Sequence, residues 1–107
     1  MCQFTEIRFR NIEIAIIKDM RQLSANVDTL KRFVECNAIA PKLAFKRASI
    51  MAARFDCLLK RLANACQAAN NWNKSNCLTN YDRIYIEHPD YVRIHSTLCA
   101  QFAFFGI

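Results

Sequence analysis

Two histidines and six cysteines are the side chains of this chain best suited to metal or thiol chemistry, the cysteines lying at Cys2, Cys36, Cys57, Cys66, Cys77 and Cys99. Zinc knuckles and redox pairs place two ligands within about two to four residues. The closest cysteine pair is nine residues apart. His95 and Cys99 are four apart and would share one helix face, but two ligands do not complete a zinc site. We therefore expect no metal and no cofactor, and we expect the thiols to pack as small buried side chains.

Arg83 and His88 form the other arrangement that could be catalytic. They are separated by four residues in the stretch Arg-Ile-Tyr-Ile-Glu-His. This spacing resembles the Arg-x4-His element of HEPN ribonucleases, which are small helical proteins, and the resemblance covers six residues. It implies that His88 is a general acid or base and that Arg83 holds the scissile phosphate. The alternative interpretation is a histidine at a helix start beside a solvated arginine.

Other catalytic frameworks are missing from the sequence. None of the serines lies in a Gly-x-Ser-x-Gly context, and a phosphate-binding loop rich in glycine cannot be built from Gly106 alone. Catalytic loops also use glycine to reach unusual backbone angles. The sequence therefore favours a protein that is not an enzyme, with the HEPN-like ribonuclease as the enzymatic alternative.

The net charge of +6 is concentrated in one segment. Residues 42–74 contain a single acid, Asp56, and seven basic residues: Lys42, Lys46, Arg47, Arg54, Lys60, Arg61 and Lys74. The three arginines are seven residues apart and would form one column along a helix, about 10.5 Å between neighbours. Such a column could bind a nucleic-acid backbone or an acidic protein surface. The alternative is a solvated face whose arginine stems cover the core edge.

Trp72 adjoins this basic segment. A tryptophan beside cations could stack on a base. The alternative interpretation is a lid on the core, with the indole N–H bonded nearby.

A few long helices must position these groups, because one glycine and two prolines leave few places to turn. Steps of three and four between apolar residues predict helices over about 10–36 and 41–70 and a C-terminal helix over about 89–105, closed by Gly106. Pro41 suits the first turn of the second helix. The short connection predicts an antiparallel αα-hairpin within one all-α domain, 1–107. An Asn-rich stretch, 70–80, predicts a loop.

Two segments have strand-like alternation, 4–10 and 83–87. They could pair as a small two-stranded ribbon. Alternatively, Tyr81, Ile84 and Tyr85 form one face of a short extra helix. The scarcity of turn residues favours the helix.

Apolar side chains are more numerous than three or four helices of this size need. The second helix has an extra column, Leu43, Ile50 and Cys57, and the tail contains Phe102, Phe104, Phe105 and Ile107. Leftover apolar surface of this kind marks a partner site or a homodimer. The alternative is a thick core that uses every helix face.

Together these patterns predict a small binding protein, a regulator or inhibitor of a protein or nucleoprotein partner, with direct RNA or DNA binding as the alternative. In size and class, though not in its residues, it is similar to small proteins of mobile elements, which include inhibitors of the anti-CRISPR type. No apolar run is long enough to span a membrane and no export signal is readable, so we expect a cytoplasmic protein without a membrane partner.

Overall fold

The computed structural model describes the backbone of residues 2–72, 84 and 87–107, and the side chains of 10–67, 84 and 87–107. Within these ranges the chain is all-α and contains three helices: α1, Cys2–Glu35; α2, Pro41–Trp72; and α3, Tyr91–Phe104. Helices α1 and α2 form the predicted hairpin, and α3 packs against α1. The molecule measures 54 × 20 × 18 Å, and its long dimension matches the length of α1. No described helix combines the length and the apolarity needed to cross a bilayer.

The hairpin turn is built on one left-handed residue. Asn37 has a φ of 57°, its N–H donates to the carbonyl of Val34, and the N–H of Ala38 donates to that of Phe33. These two bonds form a Schellman motif, which satisfies the last carbonyls of α1. Pro41 then takes the first position of α2, where its missing N–H costs nothing. Gly106 closes α3 with the same pair of bonds, as the sequence predicted.

This turn yields a stability prediction. Replacing Asn37 with alanine should lower the free energy of unfolding by about 1 kcal/mol, because a Cβ without a local polar group is strained at positive φ. Asn37→Gly should stay within about 0.5 kcal/mol of wild type, because glycine adopts this angle without strain. Urea titration followed by circular dichroism measures both. Asn64→Ala, at an exposed position inside α2, is the control and should cost nothing; an equal loss there would contradict the turn argument.

Most described residues of the predicted apolar stripes form the core, although Ile12 on α1 is exposed. The main cluster of the core joins all three helices and Ile84; its members are Ile16, Ile17, Met20, Leu23, Val27, Phe55, Leu58, Leu62, Cys66, Ile84, Tyr91, Ile94, Leu98 and Phe102. A second cluster near the turn contains Leu30, Ala44 and Ala48. The alanines there provide the small surface that lets α1 and α2 approach closely.

Polar contacts orient α3 on α1. The buried amide of Gln101 donates to the Ser24 carbonyl at 3.2 Å and accepts from the Ser24 hydroxyl at 3.3 Å. At the start of α3, Asp90 lies 3.6 Å from Arg21 of α1 and 3.5 Å from Arg93. These contacts fix the rotation of α3 relative to α1. This rotation in turn sets the position of the residues that flank α3.

The predicted start of the first helix was wrong. Helix α1 begins at Cys2 instead of near residue 10, so 4–10 are helical and the ribbon with 83–87 does not form. No proline or glycine precedes residue 10, so nothing in the sequence stops the helix there. Ile84 and Glu87 are helical, with the His88 N–H donating to the Ile84 carbonyl at 2.7 Å. Residues 73–83, 85 and 86, including Tyr81 and Tyr85, lie outside the described residues.

Candidate functional site

The basic residues of α2 lie on its solvent side. The side chains of this helix alternate between the core stripe, which faces α1, and an outer surface. All six described cations of the segment are exposed: Lys42, Lys46, Arg47, Arg54, Lys60 and Arg61. The charged groups of these side chains are therefore accessible to a partner.

An apolar column runs between these cations. Leu43, Ile50 and Cys57 are all exposed, and Ile50 keeps 66% of its surface in contact with solvent. Their seven-residue spacing places them beside the arginine column, separated by about 40° around the helix axis. Lys46 and Lys60 lie on the other side of the column. We call this the outer face of α2: Leu43, Lys46, Arg47, Ile50, Arg54, Cys57, Lys60 and Arg61.

Few of the cations on the outer face are paired with a carboxylate. Lys60 pairs with Asp56 at 3.0 Å, and the hydrogen bond to that carboxylate raises the pKa of Lys60 above its ordinary value. Lys60 is thus a cation at neutral pH. Among the described residues, Arg47, Arg54 and Arg61 have no carboxylate within ion-pair distance. The outer face therefore presents several cations to an approaching molecule.

The remaining members of the predicted basic site are only partly placed. Trp72 is the last residue of α2, but its side chain lies outside the described part of the structure, as does Lys74. The prediction that they extend the basic site stays a prediction.

The expectation of buried thiols is wrong for most described cysteines. Cys66 is buried in the core, but Cys36, Cys57 and Cys99 are exposed. Helix position decides this: Cys57, for example, belongs to the outer column and not to the core stripe. Cys2 and Cys77 lie outside the described side chains.

His95 lies in a groove between α2 and α3. Its ring centroid is 5.5 Å from that of Phe55, and its Nδ1 is 3.9 Å from the Cys99 sulfur. The groove encloses about 450 Å³ and is lined by both helices, including Leu59, Lys60 and Val92. His95 is half-buried against aromatic rings, in keeping with a packing residue.

Comparison of the chain with protein-family models, with curated proteins and with solved structures finds no match.

His88 has neighbours that the sequence did not reveal. Ligand atoms of Glu13, Glu87 and His88 all lie within 4.8 Å of one another. Glu13 is completely buried, Glu87 is exposed and paired with Arg10 at 3.8 Å, and His88 is half-buried. Arg83 lies outside the described residues, so the Arg83–His88 pair of the HEPN resemblance stays a prediction.

One sequence signal could have identified Glu13. On the helix, Glu13 precedes the core residues Ile16 and Ile17 by three and four positions, so it belongs to the buried stripe of α1. A glutamate in such a stripe is rare, because burying a carboxylate is costly. Its approach to Glu87 and His88 is a tertiary contact that periodicity does not report.

Proposed function

We propose that this chain is a small binding protein that regulates or inhibits an acidic protein or nucleoprotein partner through the outer face of α2. The observation that carries the proposal is the pairing of an exposed arginine column with an exposed apolar column on one helix. Arginine forks bind carboxylates bidentately, and an apolar side chain beside them gains area on contact.

The apolar column favours a protein partner over bare nucleic acid. A phosphate backbone is bound through charge and hydrogen bonds, and its oxygens provide no apolar surface to cover Ile50. An acidic helix or sheet face could bury Leu43 and Ile50 while its carboxylates reach the arginines on one side and the lysines on the other. Interfaces of this kind have an apolar centre and a charged rim.

The charge pattern also argues against self-association through this face. Two copies would bring the same arginine columns together, and like charges at an interface cost affinity. A homodimer would require a different surface, such as the exposed Phe33, Phe104 and Ile107.

The direct test is capture of partners from host lysate on the purified chain, with and without nuclease, followed by mass spectrometry. We expect a protein with an acidic surface in both samples, and we expect its loss from an Arg47→Ala, Arg54→Ala, Arg61→Ala triple variant. Recovery that disappears with nuclease would indicate nucleic-acid bridging and would support direct RNA or DNA binding instead. Equal recovery by the triple variant would exclude the outer face as the binding site.

Ile50 distinguishes the two classes of partner. Ile50→Ser should weaken binding of the captured protein about tenfold, because about 1–1.5 kcal/mol of apolar contact is lost. The same change should leave retention on RNA or DNA within a factor of two, because the cations are unaltered. Isothermal titration calorimetry measures the first affinity and fluorescence anisotropy the second. Val92→Ser, at an exposed position on α3, is the matched control for an apolar-to-serine change outside the outer face.

A further inference from the structure

The group Glu13, Glu87 and His88 unites three metal-binding side chains from distant parts of the sequence. Glu13 belongs to α1, whereas Glu87, which is helical, and His88 lie just before α3. Their ligand atoms lie within 4.8 Å of one another, although more than 70 residues separate Glu13 from Glu87. Tertiary packing, and not local sequence, creates this group.

Burial makes the group different from a solvated acidic patch. The Glu13 side chain has no solvent exposure, and the core residues Ile16 and Ile17 follow it on α1. Its carboxylate is therefore held in a fixed position. A second carboxylate, that of Glu87, reaches the same point, so a cation bound there would be attracted by both carboxylates at once.

We propose that Glu13, Glu87 and His88 bind a divalent first-row metal ion, with zinc as the best match. Two carboxylate oxygens and one imidazole nitrogen are ligands that zinc accepts at about 2.0–2.2 Å, which in a tetrahedral site sets ligand atoms about 3.3–3.6 Å apart. A separation of at most 4.8 Å needs only a small inward movement, and the exposed Glu87 can supply it. The outer side of the site faces solvent, so water completes the coordination.

Arg10 is the competitor for this site. Its guanidinium lies 3.8 Å from the Glu87 carboxylate at the rim of the group. Metal binding draws Glu87 inward and weakens that ion pair. Arg10→Ala should therefore increase the affinity for zinc by a few fold, whereas removal of any ligand should reduce it.

The test is titration of the full chain with zinc chloride alone, by isothermal titration calorimetry under reducing conditions. We expect one zinc ion per chain with a dissociation constant of about 10 µM or tighter. Glu87→Gln and His88→Gln should each weaken binding at least tenfold. Both positions are accessible enough for the variants to fold, which circular dichroism checks, so the test does not depend on the buried Glu13.

Two matched controls separate this site from others. His95→Gln removes the histidine beside Cys99, a His–Cys pair outside the proposed site, and Glu35→Gln removes an exposed glutamate at the end of α1. Both should bind zinc as wild type does. Cobalt in place of zinc should give visible bands without a thiolate charge-transfer band, because the proposed ligands contain no sulfur.

Three results would overturn the proposal: no zinc bound by the wild-type chain at 100-fold excess, unchanged affinity in Glu87→Gln and His88→Gln, or loss of zinc in His95→Gln with a thiolate band for cobalt.

Discussion

Removal of Arg47, Arg54 and Arg61 together is expected to weaken binding of the captured acidic partner about 100-fold. The three guanidinium groups are exposed on one column of α2, and each charge-assisted contact contributes about 1 kcal/mol at an interface. The loss should be larger at low ionic strength, because salt screens the attraction between these arginines and the acidic partner, and that attraction is what the variant lacks. Surface plasmon resonance at two salt concentrations measures both effects.

The control for this experiment must remove the same charge elsewhere. Lys18→Ala, Arg32→Ala and Arg93→Ala together also lower the net charge by three, and all three side chains are exposed outside α2. Two of them belong to surface ion pairs, which contribute little stability. We expect this variant to bind within about threefold of wild type, with a slower association rate. Equal weakening in the two triple variants would mean that general charge, and not the outer face, attracts the partner.

The largest stability effect is expected from Leu98→Ala on α3. Leu98 has no solvent exposure and belongs to the cluster that joins all three helices. Truncating such a side chain loses its transfer free energy and leaves a cavity, which together cost about 2–5 kcal/mol. A domain of this size is stabilised by only about 5–15 kcal/mol, so the variant should unfold at markedly lower urea concentration.

Leu43→Ala provides the matched comparison. The chemical change is the same, but Leu43 is 44% exposed on the outer face of α2. Its loss should cost under about 1 kcal/mol, and alanine's helix propensity offsets part of this. Similar losses at both positions would contradict the packing of α3 described here.

The hairpin could be predicted because its signals are local. The steps of three and four define the faces of α1 and α2, and Pro41 and Gly106 mark a helix start and a helix end. The start of α1 could not be placed, because the residues before Arg10 carry no stop signal and their short alternation resembles a strand. Asn37 is a turn residue by type, but only the fold shows that it alone carries the left-handed angle of the hairpin.

The candidate sites likewise differ in how much of each could be predicted from local sequence. The outer face of α2 follows from helical spacing, so exposure of Arg54 and Ile50 could be inferred from their positions. The prediction that the thiols are buried rested on residue type, whereas position on the helix decides their exposure, as Cys57 illustrates. The approach of Glu13 to His88 depends on how α3 is rotated on α1, and no single helix pattern contains that information.

The long, narrow form of the hairpin affects how its mass is measured. The radius of gyration is 16.5 Å, whereas a compact chain of this length has about 13 Å and one of twice the length about 17 Å. In small-angle scattering, a single extended chain would therefore have the radius expected of a compact dimer. Light scattering, which reports mass independently of shape, is the measurement that distinguishes one copy from two.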